Sequence, residues 1–498
     1  VPSWFQLLLK ATKIMHASII VKILGILLML FSALGNLPPL VVSYIYADGM
    51  ASVFTDSLLI IFSVGFLMWL ATVRSRAELG TRDGFLVVTL FWAVLGVAGS
   101  LPFIFSSAVE LSITDAVFES LSGLTTTGAT VISGLDDLPK SVLFYRQQLQ
   151  WLGGMGIIVL AMALLPMLGI GGMQLYRAES PGPVKDNKLV PRLAETAKAL
   201  WYIYLTLTVV CALADWIVGM NLFDAISHSF TTVAIGGFST HDLSLGYFDN
   251  PAVDIIAIIF MFIAGVNFAL HFTAWQGRKV GHYLRDPEFK FYAFILGSVS
   301  AVTVAVLYFS EVYTSLFEAL IKGVFQVVSM ATTTGFATAD FNSWPLFLPY
   351  VLLYAAIIGA CAGSTGGGMK VIRILLIFKQ GFREVQRLIH PRAVIPIKLG
   401  GQRVSDRIVE SVWGFFAVYV MVFLIMLLAL LATGLDIVTA FSAVGACINN
   451  LGPGLAEVAV TYGQLPAAAK WILCFAMLLG RLEIFTLLVL FTPMFWKR

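Results

Sequence analysis

Thr125-Thr126-Thr127-Gly128, Ala234-Ile235-Gly236-Gly237, Thr332-Thr333-Thr334-Gly335 and Asn449-Asn450-Leu451-Gly452 are four glycine-ended stretches that share more than their last residue. Thirteen positions before the glycines stand Asp115, Asp224, Lys322 and Thr439. A small residue follows each time (Ala116, Ala225, Gly323, Ala440), then an apolar one (Val117, Ile226, Val324, Phe441), and the four segments align without gaps. Self-similarity at wide spacing implies one supersecondary unit used four times. The glycines lie 109, 98 and 117 residues apart. Each unit therefore has the length of two membrane spans plus a short element between them.

Composition agrees with that reading. Hydrophobic residues make up 59% of the 498, charged residues only 12%, and the mean hydropathy is +0.91. A soluble chain of this size could not hide so much apolar surface, so a polytopic membrane protein is expected. A spanning helix needs about 20 mostly apolar residues. Candidates run over 15–37, 53–73, 85–105, 143–168, 201–220, 253–275, 291–309, 346–378, 412–433 and 471–494. The expected fold is thus an all-α integral membrane protein with ten transmembrane helices. Four pseudo-symmetric helix–pore-loop–helix repeats surround a central pore, and two extra N-terminal helices precede them. The units fall at 1–83 (the leading pair), 84–192, 193–289, 290–403 (carrying an intramembrane loop) and 404–498. Val1 to Gln6 show no small-residue cleavage site after a short apolar core, so no signal peptide is expected there.

Between the two spans of each repeat sits an apolar segment of about ten residues, as at 115–124 and 224–233. It is too short to cross and too apolar for an exposed loop, which points to a re-entrant helix. Asp115, Asp224 and Thr439 are expected N-caps. Lys322 breaks the pattern, so Thr314 or Ser315 is the expected cap there. Charge follows the same topology. Arg74, Arg76, Arg82, Arg177, Lys185, Lys188, Arg192, Lys198, Arg278, Lys279, Arg285, Arg383, Arg387, Arg392, Lys398, Arg403, Arg407, Lys497 and Arg498 fall on one side. Asp48, Glu110, Glu119, Asp136, Asp137, Asp242, Asp249, Asp340 and Glu457 fall on the other. The Lys/Arg bias places the basic side, and both termini, in the cytoplasm.

A re-entrant helix running inward aims its partially negative C-terminal end at the membrane centre. Four of them converging suit a cation. The extended stretch after each helix lacks helical partners for its carbonyls, and four such strands can replace an ion's hydration shell. Candidate ion-contacting residues are Thr125, Thr126, Gly128, Ala234, Ile235, Gly237, Thr332, Thr333, Gly335, Asn449, Asn450 and Gly452. The plainer alternative is a threonine-rich, β-prone turn; fourfold recurrence after a short helix argues against it.

Gly359-Ala360-Cys361-Ala362-Gly363-Ser364-Thr365-Gly366-Gly367-Gly368 interrupts the apolar run of the third unit. So many glycines do not hold a helix, since each costs about 1 kcal/mol relative to alanine. A phosphate-cradling loop fails on inspection, because Met369 and not lysine follows the correctly spaced Gly363 and Gly368. A break at membrane depth lines a cavity, so Gly359, Gly363, Gly366, Gly367 and Gly368 are read as a flexible gate. A tight helix crossing is the alternative. Arg481 sits inside the last span, where an arginine costs about 2.5–3.5 kcal/mol on insertion scales. It is read as part of the gate, with snorkelling or a carboxylate pair as the alternative. Glu483 is expected to point elsewhere. Lys370 and Arg373 could dock an acidic partner, although the positive-inside rule alone suffices to explain them. His228 and His241 are lone histidines near the acidic mouth, expected to be hydrogen-bonded rather than metal-binding. The four cysteines (Cys211, Cys361, Cys447, Cys474) show no paired spacing and read as packing residues.

These residues carry a resemblance. With the four stretches, Trp151-Leu152-Gly153-Gly154-Met155-Gly156 and the glycine-rich run of the third unit, the chain resembles the membrane subunits of the Trk/Ktr/HKT superfamily of potassium transporters. The resemblance covers the whole chain, including the leading pair. It implies potassium uptake across a bacterial inner membrane, with K+ as transported ion and no bound cofactor. It also implies a gate at the glycine loop, an arginine at the Arg481 position, a homodimer, and a cytosolic nucleotide-binding regulatory ring (a TrkA-like subunit). Membrane lipid is the surrounding partner and nucleic acid is not one. In related plant transporters serine at the first filter position goes with sodium preference, so Gly128 favours potassium. Units two and four depart from threonine, and modest K+ over Na+ discrimination is expected. The alternative is a K+/H+ (or K+/Na+) symporter working by alternating access. That reading needs a titratable group near the glycines, and only Asp115, Glu119, Asp224 and His228 come close. An enzyme is not expected, since clustered intramembrane His, Asp or Glu are missing.

Overall fold

A computed structural model describes residues 17–75, 80–163, 189–345 and 347–496, which are helical almost throughout. Among the described residues, six helices are long and apolar enough to cross a membrane: Ala17–Tyr46 (α1), Ala51–Thr72 (α2), Arg82–Phe105, Ala197–Ile217, Pro287–Phe309 and Asp406–Leu431. The count is eight if each of two bent pairs is one span. The protein is an all-α, multi-pass membrane protein. α1 and α2 cross at two glycines; a Cβ on Gly25 or on Gly65 would lie 2.7 Å from the other's carbonyl oxygen. Small residues let membrane helices approach this closely.

Three expected spans are not single helices. The run 253–275 divides into Pro251–Ala264 and Phe268–Gly277, bent by 91°. Asn267 causes the break by accepting from the Ala269 amide as a new N-cap. The run 471–494 divides into Ala467–Arg481 and Phe485–Phe491, bent by 109°; Glu483 and Ile484 take positive φ at the corner. The run 346–378 splits into Leu348–Ile358 and Val371–Ile389 around the glycine loop, as its composition led us to expect. The far end of the expected 143–168 span lies outside the described residues, as do Arg76, Arg177, Lys185, Lys188, Lys497, Arg498 and the Val1 to Gln6 segment.

Four short helices fill the places of the expected re-entrant segments: Ile113–Leu124, Leu222–Ala234, Leu316–Ala331 and Ile437–Ile448. Each is largely buried. Three caps differ from expectation. Ser112, Asn221 and Asp436 are the N-caps, three residues before Asp115, Asp224 and Thr439. The alignment marked the third helical position, where an acidic side chain favours the helix N-terminus; Asp115 bonds back to Ser112 Oγ at 2.7 Å. Ser315 caps the third helix, which accounts for its greater length.

Candidate functional site

All four short helices end in the same backbone motif. The amides of Thr126, Ile235, Thr333 and Asn450 bond to carbonyls three residues back, at 2.9–3.3 Å. Those of Thr127, Gly236, Thr334 and Leu451 reach five residues back, at 2.8–2.9 Å. This paired pattern closes a helix C-terminus when the residue after the cap is left-handed. Glycine normally fills that place; here it is Thr126 (φ 54°), Ile235 (55°), Thr333 (68°) and Asn450 (52°). A β-branched residue at positive φ costs of order 1–3 kcal/mol and clusters where function demands it. Gly128, Gly237, Gly335 and Gly452 follow, two residues on, with φ of 80–92°.

The turns meet in a closed ring. A Cβ on Gly128 would collide with the carbonyl oxygen of Gly236, one on Gly237 with Thr334, and one on Gly335 with Leu451. A Cβ on Gly452 would lie 2.7 Å from the carbonyl oxygen of Thr127, which returns to the first turn. Glycine is required for this close approach as well as for its φ.

The carbonyls of these turns are largely unclaimed. Among the described residues, no hydrogen bond ends on the carbonyl oxygens of Thr125, Thr126, Thr127, Gly128, Ala234, Ile235, Gly237, Thr332, Thr333, Thr334, Gly335, Asn450 or Leu451. Three nearby carbonyls are claimed. Gln150 Nε2 donates to Gly236 at 2.6 Å, Tyr462 OH to Gly452 at 2.6 Å, and the Gly368 amide to Asn449 at 3.1 Å. Threonine hydroxyls face away: Thr125 and Thr332 Oγ1 donate back to Leu121 and Val328, both at 2.7 Å. They also pair with the hydroxyls of Thr127 and Thr334 at 2.8 Å.

A buried ion pair braces the strands after the turns. Glu119 is fully buried and lies 2.8 Å from the Arg146 guanidinium. Arg146 also donates to Ser239 O at 3.1 Å and Thr130 Oγ1 at 3.0 Å, tying the first unit to the second. Our sequence reading passed over Arg146 and Gln150. Their signal was present: polar side chains within an otherwise apolar wall face the protein interior.

The glycine loop touches three of the four helix ends. Thr365 Oγ1 donates to Val233 O at 3.0 Å, the Gly367 amide to Thr333 Oγ1 at 2.6 Å, and a Cβ on Gly366 would lie 2.7 Å from Thr332 O. The Gly368 amide bonds to Asn449 O, and Lys370 Nζ donates to Gly366 O. Gly359, Gly363 and Gly368 take φ of 70–76°. Gly363 O accepts from the Phe268 amide at 3.0 Å, and the Cys361 amide donates to Gly265 O at 3.0 Å, so the loop is stitched to the bent pair of the second unit.

Arg481 completes the arrangement. Buried at the end of its helix, it donates to Thr365 O at 3.2 Å and to Gly153 O at 2.9 Å. Its guanidinium lies 5.4 Å from the Trp92 ring centroid. Glu483 points elsewhere, as expected, and meets Arg373 at 2.5 Å. On the opposite side of the ring His241 lies between Asp136 (2.5 Å) and Asp224 (3.2 Å), while His228 bonds to Asp224 O and Ser239 Oγ, both at 2.9 Å. No group of three or more His, Cys, Asp or Glu side chains among the described residues is placed to hold a metal ion.

Helical spans, four like turns in a ring and a loop pressed against them define an all-α, multi-pass membrane protein. The chain belongs to the TrkH family: the model of that family, described as cation transport protein, matches residues 50–498. It is similar to the Trk system potassium uptake protein TrkH of Halomonas elongata, with 58% identity over 97% of this chain and 100% of that one. The protein of the same name from Escherichia coli K12 is 56% identical, again over 97% and 100%. Among solved structures, the crystal structure of the potassium transporter TrkH from Vibrio parahaemolyticus superposes with a TM-score of 0.90. It shares 54% identity and is covered over 97% of this chain and 100% of that one.

Proposed function

We propose that this protein takes up potassium across the bacterial inner membrane through a channel-like pore. The turns form a four-part backbone-carbonyl filter of Thr125, Thr126, Gly128, Ala234, Ile235, Gly237, Thr332, Thr333, Gly335, Asn449, Asn450 and Gly452. One observation carries this: a closed ring of glycine contacts surrounded by carbonyl oxygens of these residues that, apart from those of Asn449 and Gly452, accept no hydrogen bond among the described residues. Each unsatisfied buried acceptor costs roughly 1–3 kcal/mol, and bare backbone at membrane depth persists where it lines a water- or ion-filled path. The names of the relatives supply the ion. The repeats are the units 84–192, 193–289, 290–403 and 404–498, following the pair within 1–83, and bent or split helices make up the ten spans. The bias of positive residues supports a cytoplasmic position for both termini.

The loop with Gly359, Gly363, Gly366, Gly367 and Gly368, held by Arg481, is the gate. Its hydrogen bonds to three helix ends support a position across the exit of the ring. Opening is governed by a cytosolic nucleotide-binding ring, and the membrane subunit works as a homodimer carrying no cofactor. The test is radioactive rubidium uptake into liposomes containing the purified protein and its regulator, competed by K+, Na+ and Li+. Competition by K+ ahead of Na+ supports the reading; liposomes that stay tight to rubidium sink it.

A further inference from the structure

A cavity of about 570 Å³ lies away from the ring, between the first span of the second unit and the bent pair. Tyr202, Leu207, Phe262, Val266, Trp275 and Phe289 line it with apolar and aromatic surface. Its one histidine, His271, has both ring nitrogens engaged, with Tyr283 OH at 2.8 Å and Ile263 O at 2.9 Å. The wall therefore offers little to a polar ligand, and its size is that of a small-ligand pocket. Its rim is different. Trp275 is 66% exposed, and the residues that follow include exposed Arg278, Lys279 and Arg285 beside exposed Val280 and Leu284. Aromatic, basic and apolar side chains together mark the membrane–water interface, where basic clusters attract anionic headgroups.

We propose that this cavity takes one acyl chain of an anionic phospholipid, with the headgroup held by Arg278, Lys279 and Arg285. The lipid braces the bend of the second unit against the glycine loop. Ile263 and Val266, in the cavity wall, flank the carbonyls of Ala264 and Gly265. Those carbonyls accept from Thr365 Oγ1 at 3.4 Å and the Cys361 amide at 3.0 Å. A chain seated against one side of the bend limits the movement of the loop bonded to its other side. The functional consequence rests on the reading of that loop as a gate; the binding itself does not.

The experiment is native mass spectrometry of the full-length protein, stripped of lipid and offered phosphatidylglycerol or phosphatidylcholine with matched chains. One phosphatidylglycerol per chain is retained in preference to phosphatidylcholine. Thr206→Trp, which fills the cavity from its exposed edge, abolishes retention. The triple substitution Arg278→Gln, Lys279→Gln and Arg285→Gln lowers phosphatidylglycerol affinity roughly a hundredfold, the sum of three surface-charge contributions. Equal retention of both lipids, or retention unchanged by Thr206→Trp, overturns the site. So does a Thr206→Trp protein that turns from dimer to monomer with lipid binding intact, which would mean that a second copy covers the cavity. Hydrogen exchange at the amides of Cys361 and Phe268 reads the bracing: it slows with phosphatidylglycerol, and unchanged exchange overturns that part. Neither readout depends on ion flux, so failure here is distinct from failure of the transport assay.

Discussion

Replacing Arg481 by alanine tests the gate. The guanidinium makes two charge-assisted hydrogen bonds, one to Gly153 O on the wall and one to Thr365 O in the loop. Only the second resists movement of the loop relative to the wall. A hydrogen bond to a charged group contributes about 1.5–3 kcal/mol, and tenfold in an equilibrium is about 1.4 kcal/mol. Losing it shifts the closed-to-open equilibrium of the loop by roughly ten- to a hundredfold. Removing a positive charge beside the proposed cation path acts in the same direction. Initial rubidium uptake by liposomes with matched protein content therefore rises toward that factor. Arg481→Lys keeps the charge but cannot span both carbonyls, so it gives an intermediate rise if the tether dominates and almost none if the charge dominates. Unchanged or lower uptake by the alanine variant, in protein that elutes as the parent does, refutes the tether.

Alanine at the ring glycines follows a steric order. Gly128→Ala, Gly237→Ala and Gly335→Ala place a methyl inside a neighbouring carbonyl, whereas Gly452→Ala meets Thr127 O at 2.7 Å; Gly452→Ala keeps the most rubidium-over-sodium preference in paired flux assays. Glu119→Gln leaves Arg146 buried without its counter-charge and costs about 3–5 kcal/mol, seen as a lower Tm; adding Arg146→Met recovers part of it. His241 has a pH signature. Burial alone would lower its pKa, but the bonds and charges of Asp224 and Asp136 outweigh burial and raise it above the ordinary 6.5. Because the folded-state value is the higher one, the stabilisation is complete below pH 6.5 and is lost as pH rises through the folded-state value. Tm accordingly falls across that interval in the parent and not in His241→Gln; a parallel fall in both would remove His241 as the cause.

Much was legible in the chain because membrane constraints are local. An apolar run of fixed length, a charge bias and a glycine after a short helix can each be read without knowing what lies nearby. The glycine loop was visible for the same reason, since its residues cannot sustain a helix. Cap positions were misjudged by three residues because the alignment marked Asp115 and Asp224, which sit one turn inside the helices that Ser112 and Asn221 begin. The burial and pairing of Glu119 were not legible, because its partner Arg146 is 27 positions away and belongs to another helix.

The order of the chain thus determined, by itself, that this is a helical membrane protein with four like turns and a weak point in its third unit. Only the tertiary structure decided that the turns close on one another, that Arg481 grips two carbonyls rather than a carboxylate, and that two expected spans bend by about a right angle. The reason is physical. Helix length and burial follow from each segment's own transfer free energy to lipid, whereas ring closure, buried pairing and bending depend on which unsatisfied groups from distant segments are brought within hydrogen-bonding reach.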